Sequence, residues 1–505
     1  MQLIINGNDL TIEQVYNVAN NNSIKIVLSD TSVTAMNLSR RVVENWVSEN
    51  KVIYGVTTGF GEFANVSINS DKLSDLQVNL IRSHSAGAGD PIPKNIMRAM
   101  MLLRINALAK GFSGIRVQTV QTLIDMLNND IIPSAPMQGS VGSSGDLVQL
   151  SHLVLAAMGE GKVWLGNEIV PSLIVLKKHN IEPIKLEAKE GLALINGTQM
   201  MTSFGCIAVH LANRFTKSAD VISALSLDAL KGTDKAFDER LHALRPHTGQ
   251  NIVAKNMREL LADSEIRESH RQIDDRVQDA YSLRCIPQIH GASRDTLTHV
   301  NNVLTIEINS VTDNPIIFPN EGDHVEGGNF HGQPVALIMD FLAIACAELA
   351  NVSERRTERL VNGTLSRLPR FLTQNGGLNS GYMIAQYTSA SIVSENKVLC
   401  HPASVDSIPT SANQEDHNSM GSIAAQKALK VVCNLNKVLA IELICATQGI
   451  DFHQPLNTSK KLKPVHNLVR SKIPHLENDR VIFDDISIAE QLINSGELLE
   501  VVDVN

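Results

Sequence analysis

The chain has 505 residues, 43% hydrophobic and 19% charged, an ordinary globular balance that excludes a disordered polymer. Its net charge is −9, from 44 basic and 53 acidic residues, and no basic run interrupts it, which argues against a nucleic-acid or other polyanion binder. The six cysteines (Cys206, Cys285, Cys346, Cys400, Cys433 and Cys445) form no CxxC pair, and several sit inside apolar runs, as buried reduced thiols do.

The first residues, from Met1 to Asp9, lack a basic region followed by an apolar stretch, so no signal peptide is expected. No window of about 18 residues is apolar without polar interruption, so no membrane span is expected. These features together predict a cytoplasmic protein. In chain order, Leu73, Leu76 and Leu80 lie at helical spacing within 70–81. Further helices are expected over 97–108 and 117–127. Gly139 to Gly145 reads as a glycine-rich loop, and Asp146 can cap a helix over 147–158 that ends at Gly159-Glu160-Gly161. Short apolar pieces over 162–175 suggest a small β-element. Pro334 opens a stretch without another proline until Pro369, and 335–350 is apolar nearly all round, broken by Asp340 and Glu348. A helix apolar on every side is buried. A second such stretch runs over 418–449, between Pro409 and Pro455, in helix-favouring residues. Gly327-Gly328 and Gly376-Gly377 mark loops. The expected fold class is mainly α, a bundle of long helices with active-site loops at one end. Three parts are expected within one continuous structural unit: 1–220 with the glycine-rich loop, 221–450 with the long-helix bundle, and 451–505 as a helical cap. Helices apolar all round need many partners, which predicts a homo-oligomer.

The loop Gly139-Ser-Val-Gly142-Ser143-Ser144-Gly145-Asp146 admits several readings. A phosphate loop would place Lys-Ser/Thr after the glycines, and none is present. A nucleophile elbow would place glycine two residues before and two after the serine, but Asp146 follows Ser144 at that spacing. Composition alone favours a flexible loop before a helix. The remaining reading is autocatalytic cyclisation. The amide nitrogen of Gly145 attacks the carbonyl carbon of Ser143, two waters leave, one of them from the Ser144 side chain, and a methylidene-imidazolone ring results. A residue without Cβ suits the attacking position, which selects Ser143-Ser144-Gly145 over the frame one residue earlier.

This loop resembles that of the histidine and aromatic amino acid ammonia-lyase family, whose members carry 4-methylidene-imidazol-5-one, usually made from Ala-Ser-Gly. Ser143 departs from the alanine, but only its backbone would join the ring. Val148-Gln149 departs from the Ala-Pro common in the histidine branch. The resemblance covers nearly the whole chain. Tyr54-Gly-Val-Thr-Thr-Gly-Phe-Gly61 resembles the family's tyrosine loop, and Ser83-His84 its histidine-selective pair. Asn196-Gly-Thr-Gln199 resembles its asparagine loop, and Gln278-Asp-Ala-Tyr281-Ser-Leu-Arg284 the element bearing base and carboxylate clamp. Gly327-Gly-Asn-Phe330-His resembles the aromatic wall, and Ser411-Ala-Asn-Gln414-Glu415-Asp-His417 the histidine-specific form of the last loop.

The resemblance implies an L-aspartase/fumarase-like architecture and a lyase that eliminates ammonia from L-histidine to give urocanate. It implies Tyr281 as the β-proton base; a free tyrosine has a pKa of about 10, so the site must lower it or couple it to a relay. Arg284 would clamp the substrate carboxylate two-pronged. Tyr54 would assist near the amine and carboxylate, Asn196 would hydrogen-bond the ring oxygen or amine, and Phe330 would pack on the prosthetic ring. His84 and Glu415 fit the polar edge of an imidazole, with Met383 as a soft wall and Gln278 and Gln414 as further substrate contacts. Read singly, these residues are also what a buried hydroxyl, a salt bridge or an Asn-Gly turn would use; their joint occurrence favours the site. Thr57-Thr58 and Gly332-Gln333 look more like the aromatic branch. The alternatives are a tyrosine or phenylalanine ammonia-lyase or aminomutase, a fumarase-type lyase without a prosthetic ring, and a helical homologue without chemistry. No metal-ligand spacing and no nucleotide motif is present. The implied partners are a small-molecule substrate and further copies of the chain, as a homotetramer with shared active sites, with no nucleic acid and no membrane.

Overall fold

The computed structural model describes residues 2–59, 68–272 and 276–504. Phe60 and Gly61 of the tyrosine loop lie outside the described residues. The chain forms two compact units, each gathered from three segments. The first comprises Met1–Ile207, Asn301–Asp340 and Pro402–Gln426; the second comprises Ala208–Val300, Phe341–His401 and Lys427–Asn505. Both are mainly helical, as expected.

In the first unit the predicted helices occur as Leu73–His84, Lys94–Ala109, Val117–Asn128 and Leu147–Ala157. Lys94–Ala109 is buried along nearly its whole length, arginines included. Between these helices lie short sheets that aim loops. Ala88–Pro91 pairs antiparallel with Pro136–Gln138, which leads directly into the glycine-rich loop. The β-element expected over 162–175 is a hairpin of Lys162–Leu165 and Glu168–Pro171, in register Lys162↔Pro171. It gives way to a helix, Ser172–Lys178, rather than continuing as strand. A second hairpin, Ile316–Phe318 with Asp323–Val325, leads into the Gly327 loop.

Long helices dominate the second unit and run into it from the first. Gln333–Val361 places Pro334 in its first turn, where a missing N–H costs nothing. By length and composition this helix could cross a membrane, but 67% of its most apolar window is buried inside the protein, the signature of a core helix. Gly421–Asp451 matches the second long stretch. Gln199–Ala229 and Ile286–Glu307 were not predicted as long helices. Within the second unit Arg356 and Glu442 form a fully buried pair, Nε to Oε1 at 2.5 Å, and Ser226 Oγ donates to the same oxygen at 2.6 Å. A buried pair of this kind tolerates no loss of one partner. Of the thiols, Cys206, Cys346 and Cys445 are buried while Cys433 is exposed.

Leu439 is fully buried in Gly421–Asp451, whereas Leu244 is 87% exposed. Leu439→Ala is expected to destabilise the protein by about 2–5 kcal/mol and Leu244→Ala by less than about 0.5 kcal/mol, read as a clear drop in thermal midpoint for the first alone.

Candidate active site

The glycine-rich loop is seated by backbone pairing rather than by side chains. Gly197 N donates to Ser144 O at 3.2 Å, and Asp146 N donates to Gly197 O at 2.7 Å, so Gly145 and Gly197 form an isolated bridge. Gly145 has φ +80, and a Cβ there would lie 2.0 Å from Gly197 O. Only glycine fits. Ser140 Oγ donates to Gln149 Oε1 at 2.7 Å, and Gln149 Nε2 reaches Pro136 O at 3.2 Å, so Gln149 ties the incoming strand to the loop.

Asp146 corrects the capping expectation. It stands at the N-terminal cap of Leu147–Ala157, yet its side chain makes no capping bond. Its oxygens instead accept from Ser422 Oγ at 2.6 Å and Met201 N at 2.9 Å. Complete burial pushes this carboxyl up to about 6, partly opposed by those donors.

A cavity of about 560 Å³ opens on this loop. Its lining includes Ser143, Ser144, Tyr54, His84, Asn196 and Phe330, together with Gln414 and Glu415. Five of the six separated motifs thus line one space within the first unit, together with the glycine-rich loop. Gln278, Tyr281, Arg284 and Met383 belong to the second unit and are not among the lining residues described. A larger cavity of about 820 Å³ lies in the second unit around Asp451, His466, Arg470 and His475. There Asp451 already accepts from both histidines and the arginine, so its charges satisfy one another.

Each lining side chain is held locally. Thr57 Oγ1 accepts from Ile53 N at 2.9 Å and donates to Lys51 O at 2.6 Å, while Thr58 Oγ1 accepts from Gly55 N at 3.3 Å. The two threonines therefore brace the turn that carries Tyr54. His84 Nδ1 lies 2.9 Å from Leu80 O. A carbonyl only accepts, so Nδ1 carries the proton and Nε2 is left as an acceptor. Burial lowers the His84 pKa and keeps the ring neutral. Asn196 Nδ2 donates to Asn314 O at 3.1 Å, and Asn314 Oδ1 accepts from Gly327 N at 2.8 Å, which couples the asparagine loop to the loop bearing Phe330. Ser411, Ala412 and Asn413 are all left-handed, at φ 52, 53 and 70. Such residues cost about 1–2 kcal/mol each outside glycine, and here the run turns Gln414 and Glu415 to the cavity. Thr410 N donates to Glu415 O at 2.9 Å to close that turn. Burial raises the Glu415 pKa.

Two buried atoms bear on what the cavity holds. Asn196 Oδ1 and Glu415 Oε2 have no hydrogen-bond partner among the described residues. The orphaned Asn196 acceptor beside Ser143 and Ser144 fits a donor such as a substrate amine, while a Gly145 that admits no Cβ fits a ring closed from that backbone. In the second unit, Tyr281 is 70% exposed, contrary to a buried-hydroxyl reading, and the Arg284 guanidinium stacks on its ring at 4.7 Å. Arg284 Nε is buried with no hydrogen-bond partner among the described residues, and Gln278 is exposed. Sequence reasoning missed Asp146 as a buried carboxylate, and also Asn314, Glu326 and Thr410 in the lining.

The profile of the aromatic amino acid lyase family matches residues 10–471. The chain belongs to the aromatic amino acid lyase family. It is similar to histidine ammonia-lyase of Caldanaerobacter subterraneus subsp. tengcongensis, 52% identical over 501 residues, 99% of this chain and 98% of that one. Among solved structures it is similar to histidine ammonia-lyase from Trypanosoma cruzi, with TM-score 0.93 and 46% identity over 99% of this chain and 95% of that one. It is also similar to tyrosine aminomutase from Streptomyces globisporus, with TM-score 0.94 and 37% identity over the full length of both chains. The fold is therefore shared across substrates in this lyase family, and the cavity's side chains must decide between them.

The Asp146 carboxyl is raised above its unfolded value, so it favours the folded state while protonated. That contribution is complete below about pH 4 and is lost as pH rises through about 6. Relative to Asp146→Asn, the wild type is expected to lose up to about 3 kcal/mol between pH 4 and 7, seen as converging or crossing thermal midpoints across that range.

Proposed function

We propose that this lyase eliminates ammonia from L-histidine to give trans-urocanate, the first step of histidine breakdown. The observation that carries the reading is the joint presence of His84, Glu415 and the Ser143-Ser144 loop around one cavity. The identity of about half its residues with histidine ammonia-lyases supports it.

A 4-methylidene-imidazol-5-one closed from Ser143-Ser144-Gly145 would supply an electrophilic carbon that turns the substrate amine into a leaving group. Asn196 would donate its second Nδ2 hydrogen to the ring oxygen and accept from the substrate amine at the unpartnered Oδ1, and Phe330 would pack on the ring's face. The overall change breaks the carbon–nitrogen bond, forms a carbon–carbon double bond and moves one β-proton. Tyr281 takes that proton, and Arg284, whose guanidinium stacks on the phenol ring, clamps the carboxylate. Neutral His84 offers Nε2 to the N–H edge of the substrate imidazole, and Glu415 takes its other edge and bears on the same proton balance. Tyr54 and Gln414 contact the amine and carboxylate end. Met383 and Gln278 complete the wall.

Tyr281, Arg284, Gln278 and Met383 must reach a cavity lined, among the described residues, by the first unit alone. We infer that neighbouring copies supply them, in a homotetramer with shared active sites. The exposure of Tyr281 and Gln278 on one chain supports this. No metal or nucleotide is invoked.

The test is a urocanate absorbance assay with L-histidine, L-tyrosine and L-phenylalanine on wild type and Ser144→Ala. The wild type should act on L-histidine, and Ser144→Ala should lose at least about 10³-fold in rate. Equal conversion by both overturns the electrophile, and turnover of L-tyrosine or L-phenylalanine in preference to L-histidine overturns the substrate.

A further inference from the structure

The asparagine loop rests on a buried cation that lines no part of the cavity. Arg104 lies on Lys94–Ala109 and is fully buried. Its NH1 donates to Asn196 O at 2.8 Å and to Gln199 Oε1 at 2.9 Å, and its NH2 donates to Ala193 O. All three acceptors are neutral. Ala193 and Asn196 lie at the C-terminal end of Glu190–Ile195, and Gln199 opens Gln199–Ala229. One guanidinium therefore spans the end of one helix and the start of the next.

Between those anchors sits Gly197, the residue that pairs with the glycine-rich loop. A Cβ on Gly197 would lie 2.6 Å from Arg104 NH1 and 2.5 Å from Gln199 Oε1, so the guanidinium presses directly on this residue. Gln199 is fixed in turn, since its Nε2 donates to Thr312 Oγ1 at 2.8 Å. The line of contact runs from Arg104 to Asn196 and Gly197, and from there to Ser144 and Asp146. Burial lowers the Arg104 guanidinium to about 10, so it remains a cation at neutral pH. The Asp313 carboxylate, paired with Lys189, partly offsets the burial of this charge, but its hydrogen bonds all go to neutral acceptors, and a packing role would be met by an apolar side chain.

We propose that Arg104 is a positioning residue for ring formation: its fork fixes Asn196 and Gly197 as the platform against which Ser144 and Gly145 are pressed. This rests on the reading of Ser143-Ser144-Gly145 as ring-forming. Lysine cannot reproduce it, because a single ammonium does not present the planar fork that meets three spread acceptors.

The test is intact mass of folded wild type, R104K and R104M, together with kcat and KM for L-histidine. The wild type should be two waters lighter than its sequence. Folded R104M should retain both waters in most chains and lose about 10²-fold in kcat with little change in KM, and R104K should close the ring in an intermediate fraction. A purely structural role would lower the thermal midpoint but leave the folded chains fully dehydrated. Complete ring closure with wild-type kcat in R104M, or in R104K should R104M not fold, overturns the inference. A wild type that keeps both waters while converting L-histidine overturns the ring reading, and the inference with it.

Discussion

The site depends on a backbone contact between two loops, where Ser144, Gly145 and Asp146 meet Gly197. The two hydrogen bonds and the closeness of the approach leave no room for a Cβ on Gly145. Such a contact fixes the backbone on both sides of Gly145, and an attack by one main-chain nitrogen on a nearby carbonyl, as proposed here, requires a segment held in place. The surrounding structure supplies the restraint. Asp146 is anchored to Ser422 and Met201, Gln149 holds the incoming strand, and Met420 N donates to Val141 O at 2.9 Å.

Specificity is layered on this frame. The fold accommodates tyrosine aminomutases and histidine ammonia-lyases alike. The lining of this cavity carries two polar groups: a neutral histidine with its protonated nitrogen committed to a carbonyl, and a glutamate presented by a left-handed turn. On the proposed reading, in which both meet the substrate ring, a phenyl ring would leave both groups unpaired, at about 1–3 kcal/mol for each buried polar group. The two threonines that resemble the aromatic branch, Thr57 and Thr58, are buried and spend their hydroxyls on backbone atoms of their own turn. They carry structure there and need not report on substrate.

Much of this was legible in the sequence for identifiable reasons. The proline-bounded apolar stretches became Gln333–Val361 and Gly421–Asp451 because all-round apolarity has one outcome in a folded chain. The glycine-rich segment was legible as a loop before a helix from its glycines, and its ring-forming reading rested on resemblance. The Gln199–Ala229 helix was not. Ser218, Asp220, Ser223, Ser226 and Asp228 lie on its buried surface, which erases the apolar periodicity a sequence shows. Asp146 looked like a helix cap because its true partners are 55 and 276 residues away. Arg104 looked like a polar break in an apolar run, since its acceptors lie 89 to 95 residues further on. Long-range polar satisfaction has no local signature. The positions of Tyr281 and Arg284 were legible as a motif, but not the exposure of Tyr281 and Gln278 on a single chain.

The most direct measurement of the central claim is electron density at high resolution over residues 143 to 145, in protein that turns over L-histidine. The account predicts a closed five-membered ring joining the Ser143 carbonyl carbon to the Gly145 nitrogen, with the Ser144 hydroxyl gone. An open peptide with an intact Ser144 hydroxyl in active protein would contradict it.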